Sequence, residues 1–247
     1  MAITERVALG YMRARIMARH SQRLGPEQWQ QLENCRNLDA FLQMARQTSL
    51  NPWIRHFEAS ESQDTWERSL RNDWQAYLAQ VLRWTPVRWQ DVLAWTGILP
   101  VLPVIAAMLN QQAAPEWARH DHFLLAMDTG DHEHFRRLMA VGPWRRLLQY
   151  WEGRNPVAAW WEAWGDCWPE NQHGLLQRLS PGILLLGHPA GLQTAALEHF
   201  LCRLLRDQHA SILPVIGHLG LLGMDLGRLR ANLQQRQVRE QLGELAA

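Results

Sequence analysis

A stripe of large apolar residues between positions 66 and 84 limits what this chain can fold into more than any other feature. Its members recur at steps of three or four residues and are Trp66, Leu70, Trp74, Tyr77, Val81 and Trp84. This spacing places the whole stripe on one face of an α-helix about five turns long. The sequence contains no alternating β-branched run and no Asn-Gly or Asp-Gly hairpin signal. The pattern therefore predicts an all-α fold.

Further helices are indicated by caps, prolines and glycines that separate shorter apolar patterns. Helix starts are predicted at Pro26, Asn37, Thr85-Pro86, Asp131 and Asn155-Pro156. A last stripe of leucines, at positions 222, 226, 229 and 233, indicates a helix near the C-terminus. The glycine-rich stretch from Gly220 to Gly227 predicts a bend between two helices. About ten helices are expected in total, joined by short breaks.

Two segments of the chain are similar to each other, at positions 41–58 and 135–152. Each places an apolar helix before Pro-Trp, followed by basic residues, an aromatic residue and a glutamate. The similarity favours repeated helical modules, although two imperfect copies in a helical chain also arise by chance. Polar connections mark the boundaries of three expected modules: an N-terminal one at 1–112, a shortened middle one at 113–172 and a C-terminal one at 173–247.

The composition is that of a globular protein with a core of its own. Of the 247 residues, 47% are apolar and 20% are charged. The formal net charge of +1 gives no electrostatic support for a nucleic-acid partner. The 14 tryptophans are many for this length, and such rings fill either cores or partner surfaces. We expect most of them in the core, with a partner surface as the alternative.

The location of the protein is indicated by its cysteines and its apolar runs. Cys35, Cys167 and Cys202 form no C-x-x-C pair, which excludes a zinc site of the usual spacing and favours a reducing cytoplasm. The apolar run Trp95–Leu109 is shorter than the roughly 20 residues of a membrane-spanning helix, and two prolines interrupt it. Arginines interrupt the N-terminal region, so no signal peptide is expected. We expect a cytoplasmic protein, soluble or peripheral on the cytoplasmic face of a membrane complex.

Motifs for catalysis and for nucleotide binding are missing from the sequence. It contains no G-x-S-x-G nucleophile elbow and neither of the phosphate-binding patterns G-x-x-x-x-G-K and G-x-G-x-x-G. Cys167 lies in a tryptophan-rich segment and is expected to be a packed thiol, not a nucleophile. The sequence therefore predicts a protein that is not an enzyme and that uses no nucleotide or other cofactor.

One polar cluster, at positions 119–134, keeps an enzymatic alternative open. It combines histidines with carboxylates, which together can bind a divalent metal. In this alternative, an all-helical metal-dependent phosphohydrolase is built around His120 and Asp121, with His132 and His134 as further ligands. In the other interpretation these are solvated side chains at two helix ends, where acidic residues are expected in any case.

Two groups of arginines are candidates for binding a partner protein. Arg15, Arg19 and Arg23 recur every four residues, so they share one face of the first helix. A second group lies in the last helical segment and consists of Arg228, Arg230, Arg236 and Arg239. Arginines of this kind usually face solvent. The alternative is a docking face for acidic residues, because the planar guanidinium group pairs well with carboxylates.

Three segments of the chain resemble, in order, the C (d-type, funnel-shaped) subunit family of V-type ATPases and ATP synthases. The first is Leu9–Trp53, with a Y-x-x-A-R-I start at Tyr11 and with Thr48 just before its final break. The second is Leu70–Leu109, which is similar to the family's pair of long helices. The third is Ala196–Leu242, where the places of the family's closing pattern are taken by Leu197-Glu198, Asp225 and Leu229-Arg230.

The resemblance implies repeated helical modules in a funnel-like arrangement on the cytoplasmic face of a membrane rotor ring. It implies a non-catalytic coupling subunit that links the ring to the central stalk for proton or sodium transport and binds no nucleotide. Two features depart from the family pattern: the middle module is short, and GHLGLLGM at 217–224 replaces acidic and lysine-rich residues. The chain is therefore identified as a diverged and shortened member.

Under this hypothesis, the expected partners are the central-stalk and membrane-ring subunits of a rotary ATPase. The residues expected to bind them are Tyr11, Arg13, Arg15, Arg19, Arg23, Asp225, Arg228 and Arg230. A third hypothesis stays open beside the coupling subunit and the phosphohydrolase. In it, the chain is a tryptophan-rich helical scaffold that binds another protein outside any motor.

Overall fold

The computed structural model describes residues 3–113, 117–118, 124, 132–141, 144–151, 155–186, 194–207 and 211–245. These residues contain fourteen α-helices and no strand, which confirms the predicted all-α class. The number of helices exceeds the expected ten because short segments such as Asn51–Ile54 and His173–Gln177 form helices of their own. The funnel-like arrangement and the division into three modules remain predictions.

The helices follow one another along the chain with short connections. In order they are α1 (Ile3–His20), α2 (Pro26–Asn34), α3 (Leu38–Arg46), α4 (Asn51–Ile54), α5 (Gln63–Leu82), α6 (Val87–Ala94), α7 (Leu102–Leu109), α8 (His132–Val141), α9 (Arg145–Trp151), α10 (Pro156–Gly165), α11 (His173–Gln177), α12 (Ser180–Leu186), α13 (Thr194–Leu205) and α14 (Leu213–Leu245). Two 3-10 helices, Trp95–Ile98 and Glu170–Gln172, precede α7 and α11.

The backbone N–H groups in the first turn of a helix have no acceptor within the helix. At the start of several helices, a side chain just before the first turn accepts a hydrogen bond from one of these N–H groups. Asn37 and Asn155, both predicted as caps, accept such bonds at the starts of α3 and α10. Ser62 does the same for α5. Helix α2 begins at Pro26, as predicted, because proline suits the first helical position.

One predicted cap is wrong, and another falls on residues whose structure is not described. Thr85 does not cap α6, because its hydroxyl donates to the carbonyl oxygen of Val81 at 2.9 Å, in the last turn of α5. Pro86 occupies the cap position of α6 without a side-chain hydrogen bond. The start predicted at Asp131 lies outside the described residues.

The C-terminal helix α14 runs unbroken for 33 residues, about 50 Å at 1.5 Å per residue, and packs against α1, α3, α5 and α13. The predicted bend at Gly220–Gly227 is therefore wrong. Its glycines allow close packing instead of a turn. A Cβ on Gly217 would lie 2.8 Å from the backbone oxygen of Leu201, and one on Gly220 would lie 2.7 Å from the Leu201 side chain. Helices α13 and α14 approach each other closely for this reason.

The tryptophans lie mainly in the core, as expected. Twelve of the 14 are buried, and Trp84 and Trp161 are half-buried. A dense group of rings joins α10 to α6 and the 3-10 helix that follows it. There the indole N–H groups of Trp95 and Trp160 each donate to the other's backbone oxygen at 3.2 Å. Trp164 stacks on Trp160 at 4.8 Å and donates to a carbonyl of α6, so this part of the core is both apolar and hydrogen-bonded.

No single one of the described helices combines the length and the apolar character that crossing a membrane requires. Val87–Ile98 and Leu102–Leu109, which meet at 65°, satisfy both criteria only as a bent pair. Within this pair, Val92, Leu93 and Ile105 are fully buried in the core of the chain.

Arg236 on α14 closes the C-terminal end of α2, although 204 residues separate Leu32 from Arg236. Its guanidinium group donates to the backbone oxygens of Cys35, Leu32 and Glu33 at 2.9, 3.0 and 3.1 Å. It also donates to the backbone and side-chain oxygens of Asn232 at 2.8 Å. A helix end leaves its last carbonyl groups unpaired and favours positive charge, so this 1% exposed arginine is well satisfied.

We expect Gly217→Ala to lower the free energy of unfolding by about 2 kcal/mol, because the added methyl group overlaps backbone atoms of α13. Urea unfolding followed by tryptophan fluorescence measures this change. Gly223→Ala on the same helix is the control, since its Cβ meets no atom within 4 Å. That substitution should raise stability by up to about 1 kcal/mol through helix propensity. Equal effects of the two substitutions would contradict the close approach of α13 and α14.

We expect Arg236→Met to lower the free energy of unfolding by about 3 kcal/mol, because it leaves the carbonyl groups at the end of α2 buried without donors. The matched control is Arg239→Met, which replaces an exposed arginine on the same helix and should change stability by no more than about 0.5 kcal/mol. Chemical denaturation of both variants at one pH provides the comparison. A loss in Arg236→Met no larger than in the control would show that these carbonyl groups have other donors.

Candidate functional site

The outward face of α1 carries apolar side chains where a surface helix usually carries charged ones. It is formed by exposed small and large apolar residues, which are Val7, Gly10, Tyr11, Ala14, Met17 and Ala18. The side chain of Tyr11, the largest of these residues, is 54% exposed. Exposed Arg6 and Arg15 flank this surface, which is termed the α1 face. On the opposite side Met12 and Ile16 are fully buried, so α1 is apolar on both sides.

Arg15 and Arg19, both predicted to bind a partner, stack on aromatic rings of α5 and of the turn that follows it. Their guanidinium carbons lie 4.1 and 4.5 Å from the ring centre of Trp84. Arg19 also lies 4.8 Å from the ring centre of Tyr77 and donates to Gln80 at 2.7 Å. Cation–π contacts of this kind fix the orientation of a guanidinium group. They therefore place two positive charges along the edge between α1 and α5.

Arg23, just after α1, binds two carboxylates within the chain. Its Nε and Nη2 donate to the two carboxylate oxygens of Asp225 on α14 at 2.6 and 2.9 Å, and its Nη1 donates to Glu198 on α13 at 2.8 Å. Burial alone would lower the pKa of Arg23, but the hydrogen bonds and charges of Asp225 and Glu198 raise it. This two-pronged contact holds the end of α1 against α13 and α14.

Arg228 and Arg230 also have partners inside the chain. Arg228 donates to Glu33 at 2.6 Å and lies 4.6 Å from the ring centre of Trp29. The hydrogen bond from Arg228 holds the pKa of Glu33 below its usual value. Arg230 pairs with the buried carboxylate of Glu67 on α5. These two arginines therefore connect α14 to α2 and α5.

The structure divides the predicted partner-binding residues into three groups. In the first, Tyr11 and Arg15 are exposed on or beside the α1 face, and the Tyr11 hydroxyl accepts a hydrogen bond from Arg15. In the second, Arg13 and Arg19 are half-buried and interact with the rest of the chain. The third group makes contacts between elements and consists of Arg23, Asp225, Arg228 and Arg230. Binding of a partner by any of these groups stays a prediction.

A buried histidine that the sequence did not single out lies beside Arg19 and Arg23. His218 on α14 is 6% exposed, and its Nε2 lies 2.6 Å from the hydroxyl of Tyr77. The ring of His20 packs edge-on against it, with 6.3 Å between the ring centres. Burial, together with the charges of His20, Arg19 and Arg23, lowers the pKa of His218 to about 3. His218 is therefore neutral at pH 7.

A cavity of about 480 Å³ lies among α5, α10, α12, α13 and α14, is partly open to solvent at exposed Gly223, Gly227 and Arg230, and is termed the interior cavity. Most of its lining consists of apolar side chains, including Trp74, Trp160 and Phe200. Four of the residues that line it have polar side chains: Glu67, Arg71, Thr96 and Arg230. Sequence reasoning missed this cavity because its walls come from helices that lie far apart in the chain.

The metal-binding alternative falls mainly outside the described residues. This is true of His120 and Asp121, and of the side chains of His132 and His134 at the start of α8. Within the ranges that the structure describes, no group of three or more histidine, cysteine, aspartate or glutamate residues could hold a metal ion. The metal site therefore remains a prediction.

Burial raises the pKa of the half-buried Cys167 thiol, which disfavours the thiolate that a nucleophile requires.

Comparison of the chain with family models, with curated proteins and with solved structures finds no match. Three features of the described residues are therefore left as the basis for a function. They are the α1 face, the ion pairs that connect α1, α2 and α5 to the C-terminal helices, and the interior cavity. The first is a surface, the second joins distant helices to one another, and the third is a space of the size of a small molecule.

We expect the free energy of unfolding to decrease as the pH falls from about 6.5 towards 3. Between these values the unfolded chain protonates His218, whose ordinary pKa is about 6.5, whereas the folded protein keeps it neutral down to about 3. At pH 5 the loss from this group should be about 2 kcal/mol. Burial lowers the pKa of His20 as well, so His20 contributes in the same direction. Urea unfolding at several pH values measures the slope.

His218→Gln is the variant that assigns this pH dependence. Glutamine does not titrate, so the variant should lose stability more slowly than the parent chain as the pH falls. It should also be less stable at pH 8, because glutamine cannot reproduce the packing of the ring beside Tyr77 and His20. A slope identical to that of the parent chain would show that His218 titrates normally in the folded protein.

Proposed function

We propose that this protein is a non-catalytic coupling subunit of a V-type rotary ATPase or ATP synthase. It would link the central stalk to the membrane rotor ring for proton or sodium transport, on the cytoplasmic face of the membrane. The α1 face carries the proposal, because an exposed apolar surface rimmed by arginines is typical of a surface that a partner covers. Part of that face, from Tyr11 onwards, belongs to the Y-x-x-A-R-I start by which the chain resembles C (d-type) subunits.

The α1 face suits a partner helix that has an apolar ridge with acidic residues beside it. Gly10, Ala14 and Ala18 recur every four residues, and small side chains at such steps let two helices approach closely. Tyr11 offers an aromatic ring of the kind that is enriched at interfaces. Arg15, at the rim, can pair its guanidinium group with a carboxylate. An uncharged or basic partner surface would gain less from this arrangement.

A coupling subunit must also transmit force, and the contacts around α1 support that use. Arg19 stacks on Tyr77 of α5, and Arg23 binds Asp225 and Glu198 on α14 and α13. Close-packed protein interiors have low compressibility and transmit strain. A force applied to α1 would therefore pass directly to three other helices instead of being absorbed by a movement of α1 alone.

We expect Tyr11→Asp combined with Arg15→Glu to reduce the amount of stalk and ring subunits that co-purify with this chain by roughly tenfold or more. The first substitution places a charge on the apolar face, and the second turns an attraction to carboxylates into a repulsion. The measurement is a pull-down from cells that co-express tagged protein with these subunits, quantified by mass spectrometry. Thermal melting of the purified variant shows whether its fold is intact.

Val141→Asp is the matched control, because Val141 is 85% exposed but belongs to α8 and not to the α1 face. It should leave the amount of co-purified subunits unchanged, since isolated surface substitutions rarely matter. Normal co-purification by the double variant would remove the α1 face from the proposal. A complete lack of stalk and ring subunits with the unaltered chain would overturn the coupling function itself.

A further inference from the structure

The interior cavity lies where five helices meet, and its deepest walls belong to the core of the molecule. Trp160 and Trp164 of α10 line it and are 1% and 2% exposed, and Leu204 and Leu219 line it from α13 and α14. Protein interiors contain few spaces larger than a water molecule. A space of about 480 Å³ with walls buried to this degree is therefore typical of a pocket for a small molecule.

The cavity is open to solvent on the side of α14. Gly223, Gly227 and Arg230 line it and are exposed. At the two glycines α14 presents backbone alone, and a Cβ on either of them would meet no atom within 4 Å. This side therefore offers a small molecule a path from solvent to the buried walls.

The charged side chains at one end of the cavity are engaged in contacts within the chain. Glu67 pairs with Arg230 and lies 3.7 Å from a guanidinium nitrogen of Arg71. Arg71 also donates to the backbone oxygen of Pro100, stacks on the ring of Trp117 and makes a further interaction. A charged ligand would have to compete with these contacts, whereas an uncharged ligand leaves them intact.

Trp74 of α5 gives a second, independent indication of a ligand. Its side chain is 6% exposed and lines the cavity, and its indole N–H has no hydrogen-bond partner among the described residues. Trp160 and Trp164, which line the same cavity, each donate to a backbone oxygen. A buried donor without an acceptor is unfavourable, and such donors are rare in native proteins. An acceptor on a molecule bound in the cavity would satisfy the N–H group of Trp74.

We propose that the interior cavity binds one uncharged, largely apolar small molecule that carries a hydrogen-bond acceptor, such as a ketone or an ester. Its apolar part lies against the tryptophan and leucine walls, and its acceptor oxygen bonds to the indole N–H of Trp74. A charged group would lose its hydration among these walls, which costs far more free energy than the loss of hydration by a ketone or an ester.

Four probes with the same number of carbon atoms test this site: butyrophenone, butylbenzene, 4-phenylbutanoate and 4-phenylbutylammonium. All contain a phenyl ring. The first adds a ketone oxygen, the second has no polar atom, and the last two carry a negative and a positive charge. We expect one butyrophenone to bind per chain, at least roughly tenfold more tightly than either ion, because an ion must lose its hydration. Isothermal titration calorimetry of the full chain, with each probe kept below its solubility limit, measures the four affinities.

Trp74→Phe should lower the affinity for butyrophenone relative to that for butylbenzene by roughly tenfold, because it removes the donor and keeps an aromatic ring. The smaller ring affects both probes, so the ratio of their affinities isolates the hydrogen bond. Trp66→Phe is the matched control, since Trp66 is also buried on α5 but does not line the cavity. This variant should leave the ratio unchanged.

Ile183→Trp should weaken butyrophenone binding by roughly tenfold or more, since the larger side chain occupies space that the ligand needs. Leu184→Trp is the matched control, because Leu184 is the next residue of α12, is 71% exposed and does not line the cavity. It should bind butyrophenone like the parent chain. Thermal melting shows whether both variants are folded, and Trp74→Phe tests the site if Ile183→Trp is not.

Two results would overturn the site: no saturable binding of any of the four probes, or butyrophenone binding that a folded Ile183→Trp variant leaves undiminished. Tighter binding of 4-phenylbutanoate than of butyrophenone would overturn the assignment of an uncharged ligand. An unchanged affinity ratio in Trp74→Phe would overturn the contact with Trp74. The site is independent of the coupling function, because no residue of the α1 face lines the cavity. Failure of one therefore leaves the other standing, and the co-purification and calorimetric measurements distinguish them.

Discussion

The antiparallel contact of α5 with α14 determines where the other features of the molecule lie. Glu67 meets Arg230 at one end of it, and Tyr77 meets His218 at the other. The cavity lies beside this contact, and its lining includes Trp74 of α5 and Gly220, Gly223 and Gly227 of α14. Beyond the second point, Arg19 stacks on Tyr77 and brings α1 alongside. The surface of α1 and the interior space thus depend on the same pair of helices.

Charged groups inside this pair of helices and its neighbours specify how the helices align. A buried charge is unfavourable unless its partners are well placed, so an alternative register that separated such groups would be strongly disfavoured. Glu67 and Arg236 are each held by several partners, and Arg23 binds two carboxylates at once. Apolar contacts supply most of the stability, but they are less directional. The ionic contacts therefore disfavour helix arrangements that would separate these groups.

The sequence predicted what depends on local pattern. Trp66, Leu70, Trp74 and Val81 of the predicted stripe are buried on one face of α5. Asn37 and Asn155 cap helices as predicted, because periodicity and capping act within a few residues. The Gly220–Gly227 prediction failed because glycine gives the same local signal for a bend and for close packing, and only the position of α13 distinguishes them. In the candidate site, the sequence pointed to Tyr11 and Arg15, which the structure places at the surface. The sequence could not predict that Arg23 binds Asp225, because the two residues lie 202 positions apart.

Arg236 closes the end of α2 across 204 residues, and this separation affects how the chain is made. At a synthesis rate of about 5–20 residues per second, roughly 10–40 s pass between the appearance of α2 and that of its closing arginine. Contacts over such distances also form slowly, because a long loop must first be closed. Until α14 leaves the ribosome, the part of α1 that packs against it in the folded protein is uncovered. The growing chain is therefore more prone to aggregation, and a better substrate for chaperones, than the finished protein.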